Sequence, residues 1–155
     1  MTSISPCLWF DDNLEEAATF YTRIFPRSSV RHLARLPSGD AMAAEFDLDG
    51  LTFRGINGGP VHAHFTEAVS FSVTCKDQSE VDYYWDSLVD GGEESMCGWL
   101  KDRFGLSWQI VPQRLYELLS DPTPARAQAA SESLLRMQRI VVGELEAAAD
   151  AAGRA

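Results

Sequence analysis

The chain has 155 residues, of which 45% are hydrophobic, 23% charged and 10% aromatic, a composition that suits one folded domain rather than a disordered or fibrous chain. Its 13 Lys and Arg against 23 Asp and Glu give a net charge of −10, so we expect neither nucleic acid nor a membrane as a partner. No apolar run approaches the roughly 20 residues of a membrane span. We expect no signal peptide, and the three widely spaced cysteines predict reduced thiols in a cytoplasmic protein.

The first 57 residues predict a strand, a helix and three more strands. Residues 4–10 form the predicted strand, and a helix should continue to about Phe25, because apolar residues recur at helical spacing and Pro26 ends the pattern. Asp12 with Glu15 three residues later is typical of a helix cap. The three further strands are predicted at 30–36, 42–48 and 51–56, the last two joined by a hairpin at Asp49-Gly50.

The same order of elements returns after the first module. A strand is predicted at 68–75, and Asp77 with Glu80 repeats the cap of the following helix, which ends at Gly91-Gly92. Short strands follow near 95–100 and 106–111. This repetition predicts two βαβββ modules within one α+β domain. The modules span residues 4–57 and 67–112.

The last part of the chain predicts helices alone. Residues 113–155 should form a helical extension of the same domain. A long alanine-rich helix is predicted from about Ala125 to Arg139, and a shorter one from Val142 to Ala149. The last residues, 151–155, should fray.

Several motifs in these modules are specific to one group of known proteins. They are Pro6-Cys7-Leu8-Trp9-Phe10, Asn57-Gly58-Gly59-Pro60, Val81-Asp82-Tyr83-Tyr84-Trp85, Cys97-Gly98-Trp99-Leu100-Lys101-Asp102 and Phe104-Gly105-Leu106-Ser107-Trp108-Gln109-Ile110-Val111-Pro112. With them the chain resembles the vicinal oxygen chelate superfamily of glyoxalases, extradiol dioxygenases and antibiotic-resistance proteins, and most of all its PhnB-like branch. Members of that branch are often labelled demethylubiquinone methyltransferases. The resemblance implies a cup-shaped open sheet with helices outside, and a homodimer in which the C-terminal helices pack across the partner.

Catalytic members of the superfamily hold a divalent metal inside the cup, with His, Gln or Glu ligands on the first and last strands of each module. The repeat places these positions at about Ser5, Arg54, Ala68 and Gln109. Alanine cannot ligate, the permanent charge of arginine repels a metal, and three or more donors are needed. We therefore expect no metal and no cofactor. His62 and His64 could form a metal pair, but no third ligand is identifiable, and exposed or interface histidines are the simpler interpretation.

The methyltransferase label has no support in a cofactor motif. A nucleotide-type cofactor fold needs a glycine-rich loop between a strand and the helix that follows it. Gly58-Gly59 and Gly91-Gly92 do not open a helix after a predicted strand. We expect no S-adenosylmethionine site.

The remaining hypothesis is a binding site for a small organic molecule in the cup. Strand alternation and the family motifs place there Cys7, Trp9, Arg54, Ser70, Ser72, Trp99 and Gln109. Arg54 would pair with an anionic or carbonyl group while Trp9 stacks on the apolar part of the ligand. The alternative is that Arg54 pairs with Glu45 or another strand carboxylate. Cys7 would be a nucleophile if Arg54 stabilised its thiolate, although an inert cysteine is the more common case.

Three functional interpretations remain open. The first is a dimeric, metal-free protein that binds a small molecule. The second is an enzyme, either a metal-dependent isomerase, lyase or dioxygenase with unusual ligands, or the methyltransferase of the family label. The third is a scaffold whose cup is filled by side chains. Small residues at Ala68, Ser70, Ser72 and Ser107 leave room for a ligand and favour the first over the third.

Overall fold

A computed structural model describes residues 2–61 and 64–154. The chain divides into two compact units, Met1–His64 and Phe65–Ala155. Each unit contains one four-stranded mixed sheet that is open at both edges. With five helices in the described residues, this is the predicted α+β fold built from two βαβββ modules.

The first unit forms its sheet from strands that are far apart in the chain. Its elements are β1 (Cys7–Phe10), α1 (Leu14–Ile24), β2 (Ser29–Arg35), β3 (Ala41–Leu48) and β4 (Leu51–Asn57). The strand order is β1-β4-β3-β2, with β1 parallel to β4 and the other pairs antiparallel. The predicted strand at 4–10 is shortened to its last four residues, because only these pair with β4.

Helix α1 packs its apolar stripe against one face of this sheet. Tyr21 is fully buried and stacks on Phe46, with 6.4 Å between the ring centroids. Phe46 in turn stacks on Phe53 at 5.6 Å. Gly55 leaves the space that Leu14 fills, since a Cβ at position 55 would overlap the leucine side chain. Because this aromatic stack is buried against α1, the opposite face of the sheet is the one that remains available for a binding site.

The start of α1 is capped by a residue from another element. The Asn57 Oδ1 atom accepts a hydrogen bond from the Leu14 N–H at 3.0 Å, and the Asn57 amide donates to the Asp12 carbonyl at 3.1 Å. The predicted cap by Asp12 and Glu15 is therefore wrong: Asn13 is the cap residue, and it makes no side-chain cap bond.

The second unit repeats the first module and extends it. Its sheet elements are β5 (Ser70–Cys75), α2 (Gln78–Val89), β6 (Glu93–Glu94), β7 (Trp99–Lys101) and β8 (Ser107–Pro112), in the strand order β5-β8-β7-β6. Here the predicted cap is confirmed, because Asp77 Oδ1 accepts from the Glu80 N–H at 3.0 Å. The predicted strand at 95–100 is wrong for residues 95–98, where Cys97 and Gly98 have positive φ and form a turn.

The C-terminal extension forms a second apolar core within this unit. It contains α3 (Gln113–Leu119), α4 (Pro124–Leu134) and α5 (Val142–Ala152). The buried residues of that core are Val111, Leu115, Leu118, Ala130, Met137, Ile140, Leu145 and Ala149. The predicted single helix at 125–139 is wrong, because α4 ends at Leu134. The segment after it leaves the helix, and its carbonyls at Met137 and Gln138 accept the Cys97 and Gly98 N–H groups at 2.7 and 2.8 Å.

The extension is also tied to α2 by polar contacts. Gln78 Oε1 accepts from the Val142 N–H at 2.8 Å, and Arg139 forms ion pairs with Asp82 and Asp86. In residues 2–61 and 64–154, no helix is both long enough and apolar enough to span a bilayer.

Candidate functional site

Strand β1 directs its side chains alternately into the core and onto the open face of the first sheet. Leu8 and Phe10 are buried, whereas Cys7 is exposed and Trp9 half-buried. Cys7 lies opposite Arg54 in the parallel β1–β4 pairing, and Trp9 lies opposite Ile56. The structure therefore brings Cys7, Trp9 and Arg54 together on one face, as alternation requires.

Arg54 lies beside Glu45 on this face. The two residues are in register across β3 and β4, and Arg54 Nε lies 3.5 Å from Glu45 Oε2. The contact is loose, with the Arg54 side chain 63% exposed, and the guanidinium makes no hydrogen bond to any residue in the described ranges. The Glu45 partner that the sequence offered as an alternative for Arg54 is therefore present. An exposed ion pair of this kind adds little stability to the fold, and it leaves N–H donors of the guanidinium available for a ligand.

A second charged pair lies next to it. Asp47 has a side chain that is only 10% exposed; it forms an ion pair with Arg31 and accepts from Thr52 Oγ1 at 2.7 Å. Between these groups runs a shallow groove of about 290 Å³. Its lining residues are Ser3, Ile4, Ser5, Arg31, Glu45, Thr52 and Arg54. The open face is therefore polar and charged rather than filled by apolar side chains.

Trp9 is fixed by the turn that follows β4. Its indole Nε1–H donates to the Gly59 carbonyl at 3.0 Å. Gly58 packs so closely against the ring that a Cβ at that position would overlap it. The Asn57-Gly58-Gly59 segment thus holds the indole rigidly, and an aromatic wall that is already ordered costs a ligand less entropy on binding.

The second sheet carries the other predicted site residues on a single polar face. Ser72 pairs with Gln109 between β5 and β8, and Trp99 pairs with Gln109 from β7. Gln109 Nε2 donates to Ser70 Oγ at 2.9 Å. Ser70, Ser72, Trp99 and Gln109 therefore lie together within this module, on the face away from the buried Leu100, Trp108 and Ile110.

The sequence interpretation missed one residue of this face, Glu67, which pairs with Lys101. Lys101 lies opposite Ser107, and its Nζ atom is 2.6 Å from Glu67 Oε1, from the segment that precedes β5. The hydrogen bond from Lys101 lowers the pKa of the Glu67 carboxyl. No sequence signal could have found Glu67, because it lies in a stretch without periodicity.

The residues at the superfamily's metal positions do not fit a metal. Arg54 carries a permanent charge, Ala68 has no donor, and the Gln109 amide nitrogen is directed to Ser70. Among residues 2–61 and 64–154, no three His, Cys, Asp or Glu come together as a ligand set. His64 is exposed, and His62 lies outside the described residues. We therefore derive no step through a metal.

The three thiols differ in environment, and we expect them to differ in reactivity. Burial, with Glu80 and Asp77 nearby, raises the pKa of the Cys75 thiol to about 12. Since the thiolate is the reactive form, only about one Cys75 in 10,000 would be ionised at pH 8. Brief iodoacetamide treatment followed by peptide mass spectrometry should find Cys7, which is exposed, modified and Cys75 intact. In urea both should react, and equal labelling in the native protein would contradict the buried position.

Solved structures of known proteins share this fold. The fosfomycin resistance protein FosX of Listeria monocytogenes is 16% identical, with a TM-score of 0.57 over 77% of this chain and 97% of its own. A protein of Pseudomonas aeruginosa is 19% identical, with a TM-score of 0.60 over 72% of this chain and 98% of its own. The paired modules thus have the fold of these proteins, a glyoxalase-like α+β fold.

The family within that class follows from closer matches. The family model described as 3-demethylubiquinone-9 3-methyltransferase matches residues 2–111. A putative 3-demethylubiquinone-9 3-methyltransferase, the PhnB protein of Bacillus cereus, is 31% identical, with a TM-score of 0.67 over 72% of this chain and 99% of its own. The chain belongs to this PhnB-like family. No curated protein matches this chain.

Proposed function

We propose that the protein is a homodimer that binds a small organic molecule without a metal. The observation that carries the proposal is the open face of the first sheet, where Arg54 is exposed and only loosely paired, on the same face as the rigidly held Trp9 indole. A carboxylate or carbonyl oxygen would accept from the guanidinium, and the apolar part of the ligand would lie against Trp9. The groove beside them suits a compact ligand.

The family description names a methyl transfer, but the loops that precede the helices give it no support. The β1–α1 loop contains Asp11 and Asp12, and the β5–α2 loop contains Lys76 and Asp77. Neither has the glycines that let a backbone approach a nucleotide-type cofactor. Binding is therefore a better proposal than methyl transfer.

Exposed apolar residues of the C-terminal extension support a dimer. Leu135 is 65% exposed, and Tyr116, Leu119 and Val141 are exposed as well. Exposed large apolar side chains of this kind favour an interface between copies, which fits the packing of C-terminal helices across a partner. Native mass spectrometry of untagged protein should give the mass of two chains, and a single-chain mass would refute this part of the proposal.

The ligand site is tested with charge-matched variants. Arg54→Ala should weaken binding of carboxylate-bearing aromatic fragments by at least about tenfold, since one good charged hydrogen bond is worth at least about 1.5 kcal/mol. Its stability should change by less than about 1 kcal/mol, because the pair with Glu45 is exposed. Arg23→Ala removes the same charge from α1 and should leave binding unchanged. Fragment affinity is measured by NMR titration, and an undiminished affinity in Arg54→Ala would sink the proposal.

Elemental analysis separates the metal-free proposal from a metal-dependent enzyme. Protein purified without a tag should contain far less than one transition metal per chain. Chelation should leave its Tm unchanged, since no metal would contribute to folding. One tightly held metal per chain would overturn the metal-free proposal and direct attention to ligands near Gln109, His62 and His64.

A further inference from the structure

A small pocket lies on the polar face of the second sheet. Its lining residues are Glu67, Glu93, Glu94, Ser95, Trp99, Leu100, Lys101 and Ser107. Its volume is about 110 Å³, equal to the share of roughly three or four water molecules. A pocket of this size holds a head group of a few atoms rather than a whole drug-sized molecule.

Ser107 leaves an unused hydroxyl in this pocket. The residue is 1% exposed, and its Oγ atom has no hydrogen-bond partner anywhere in the described ranges. It lies on β8 between Ser70 on β5 and Lys101 on β7. A buried hydroxyl without a partner is unfavourable and rare in native proteins. A ligand that forms a hydrogen bond with this oxygen would therefore remove a free-energy penalty that is present in the unliganded fold.

The charges of the pocket do not cancel. Lys101 is paired with Glu67, while Glu94 Oε1 accepts a hydrogen bond from the neutral Trp85 indole at 3.0 Å. Glu93 lies opposite Lys101 across β6 and β7 and attracts the same ammonium group, although it forms no hydrogen bond or close ion pair within residues 2–61 and 64–154. Three carboxylates thus share one lysine, so the pocket favours additional positive charge.

We propose that this pocket binds the primary ammonium group of a small organic molecule. The ammonium N–H bonds go to Ser107 Oγ and to Glu93, and the Trp99 ring lies against the adjoining carbons or the cation itself. The site lies in the second unit and does not depend on the ligand proposed for Arg54.

Other ligands fit the pocket less well. An anion would meet Glu93 and Glu94, and the one lysine is already paired. A divalent cation needs several oxygen ligands at short range, and in the described parts of the chain no three carboxylates lie close enough together to hold a metal ion. A primary ammonium matches both the excess negative charge and the buried Ser107 hydroxyl, because its three donors can serve two different oxygens.

The test uses n-butylammonium, with 1-butanol and butyrate as neutral and anionic controls of similar shape. Each is titrated into the full-length protein in 0.15 M salt, where long-range attraction is screened. Binding is followed through the backbone amides and the Trp99 indole N–H by NMR. We expect saturable shifts at Ser107 and Trp99 with n-butylammonium alone. No saturable shift, or an equal response to the alcohol, would overturn the proposal.

Variants distinguish the pocket from general attraction to an acidic protein. Glu93→Gln should weaken n-butylammonium binding at least tenfold, and Ser107→Ala at least threefold. Glu16→Gln makes the same charge change on an exposed position of α1 and should have no effect. If Glu93→Gln and Glu16→Gln lost affinity for n-butylammonium equally, the ligand would be attracted only by the overall negative charge of the protein, and the proposed site would be rejected.

Discussion

Replacing Asp102 by alanine should lower the free energy of unfolding by about 3–5 kcal/mol, because its carboxylate holds the β7–β8 turn together. Asp102 is 3% exposed. One of its oxygens accepts from the Phe104 and Leu106 N–H groups at 2.8 and 3.1 Å, and the other accepts from the Trp108 indole at 2.9 Å. Removing the carboxylate leaves three donors in or near the core without this partner, each of which costs free energy.

Urea unfolding followed by circular dichroism measures this loss. Asp102→Asn keeps one acceptor oxygen and should lose less stability than Asp102→Ala. Asp11→Ala removes the same atoms from an exposed position and should change the free energy by under about 0.5 kcal/mol. A loss below about 1 kcal/mol for Asp102→Ala would show that the turn does not need its carboxylate.

The second large effect concerns the C-terminal extension. A chain that ends at Pro112 should lose about 3 kcal/mol in the second unit, because the Cys97 and Gly98 N–H groups lose their acceptors and Val111 becomes exposed. For a unit of this size that loss lowers the Tm by roughly 10–20 °C. The extension is therefore expected to be a structural requirement of this chain, even though the matched family region ends at residue 111.

Scanning calorimetry of the shortened and full-length chains tests this. A chain that ends at Gly153 removes only residues after α5 and should unfold at the full-length temperature. If the chain ending at Pro112 unfolded within a few degrees of the full-length protein, the extension would be an addition that the module does not need.

Repeated local patterns account for what the sequence predicted well. The strand alternation of β1, the apolar stripe of α1 and the Asp77 cap each depend on residues close together in the chain, so periodicity and capping chemistry suffice to find them. The same patterns returning in the second module, with the family motifs, indicated the α+β fold of paired modules. The placement of Arg54 beside Cys7 also followed from alternation and strand pairing.

Contacts between distant residues account for the rest. Asn57 caps α1 from 43 residues away, and no local pattern could have revealed that partner. The end of α4 at Leu134 is set by carbonyls that reach Cys97 and Gly98, so helix propensity in an alanine-rich stretch was overruled by tertiary bonds. The ion pair between Glu67 and Lys101 likewise joins a loop to a strand, so the sequence could not predict that Glu67 lines the pocket on the second sheet.

The distribution of the four tryptophans makes the two units separately observable. Trp9 is the one tryptophan of the first unit, whereas Trp85, Trp99 and Trp108 belong to the second. Trp85 and Trp108 are buried, and the Arg139 guanidinium lies 5.8 Å from the Trp85 ring centre. A variant with phenylalanine at the last three positions would report the melting of the first unit alone through its fluorescence. A Trp9→Phe variant would report the melting of the second unit. Comparing the fluorescence of the two variants would therefore give the order in which the units unfold, without added labels.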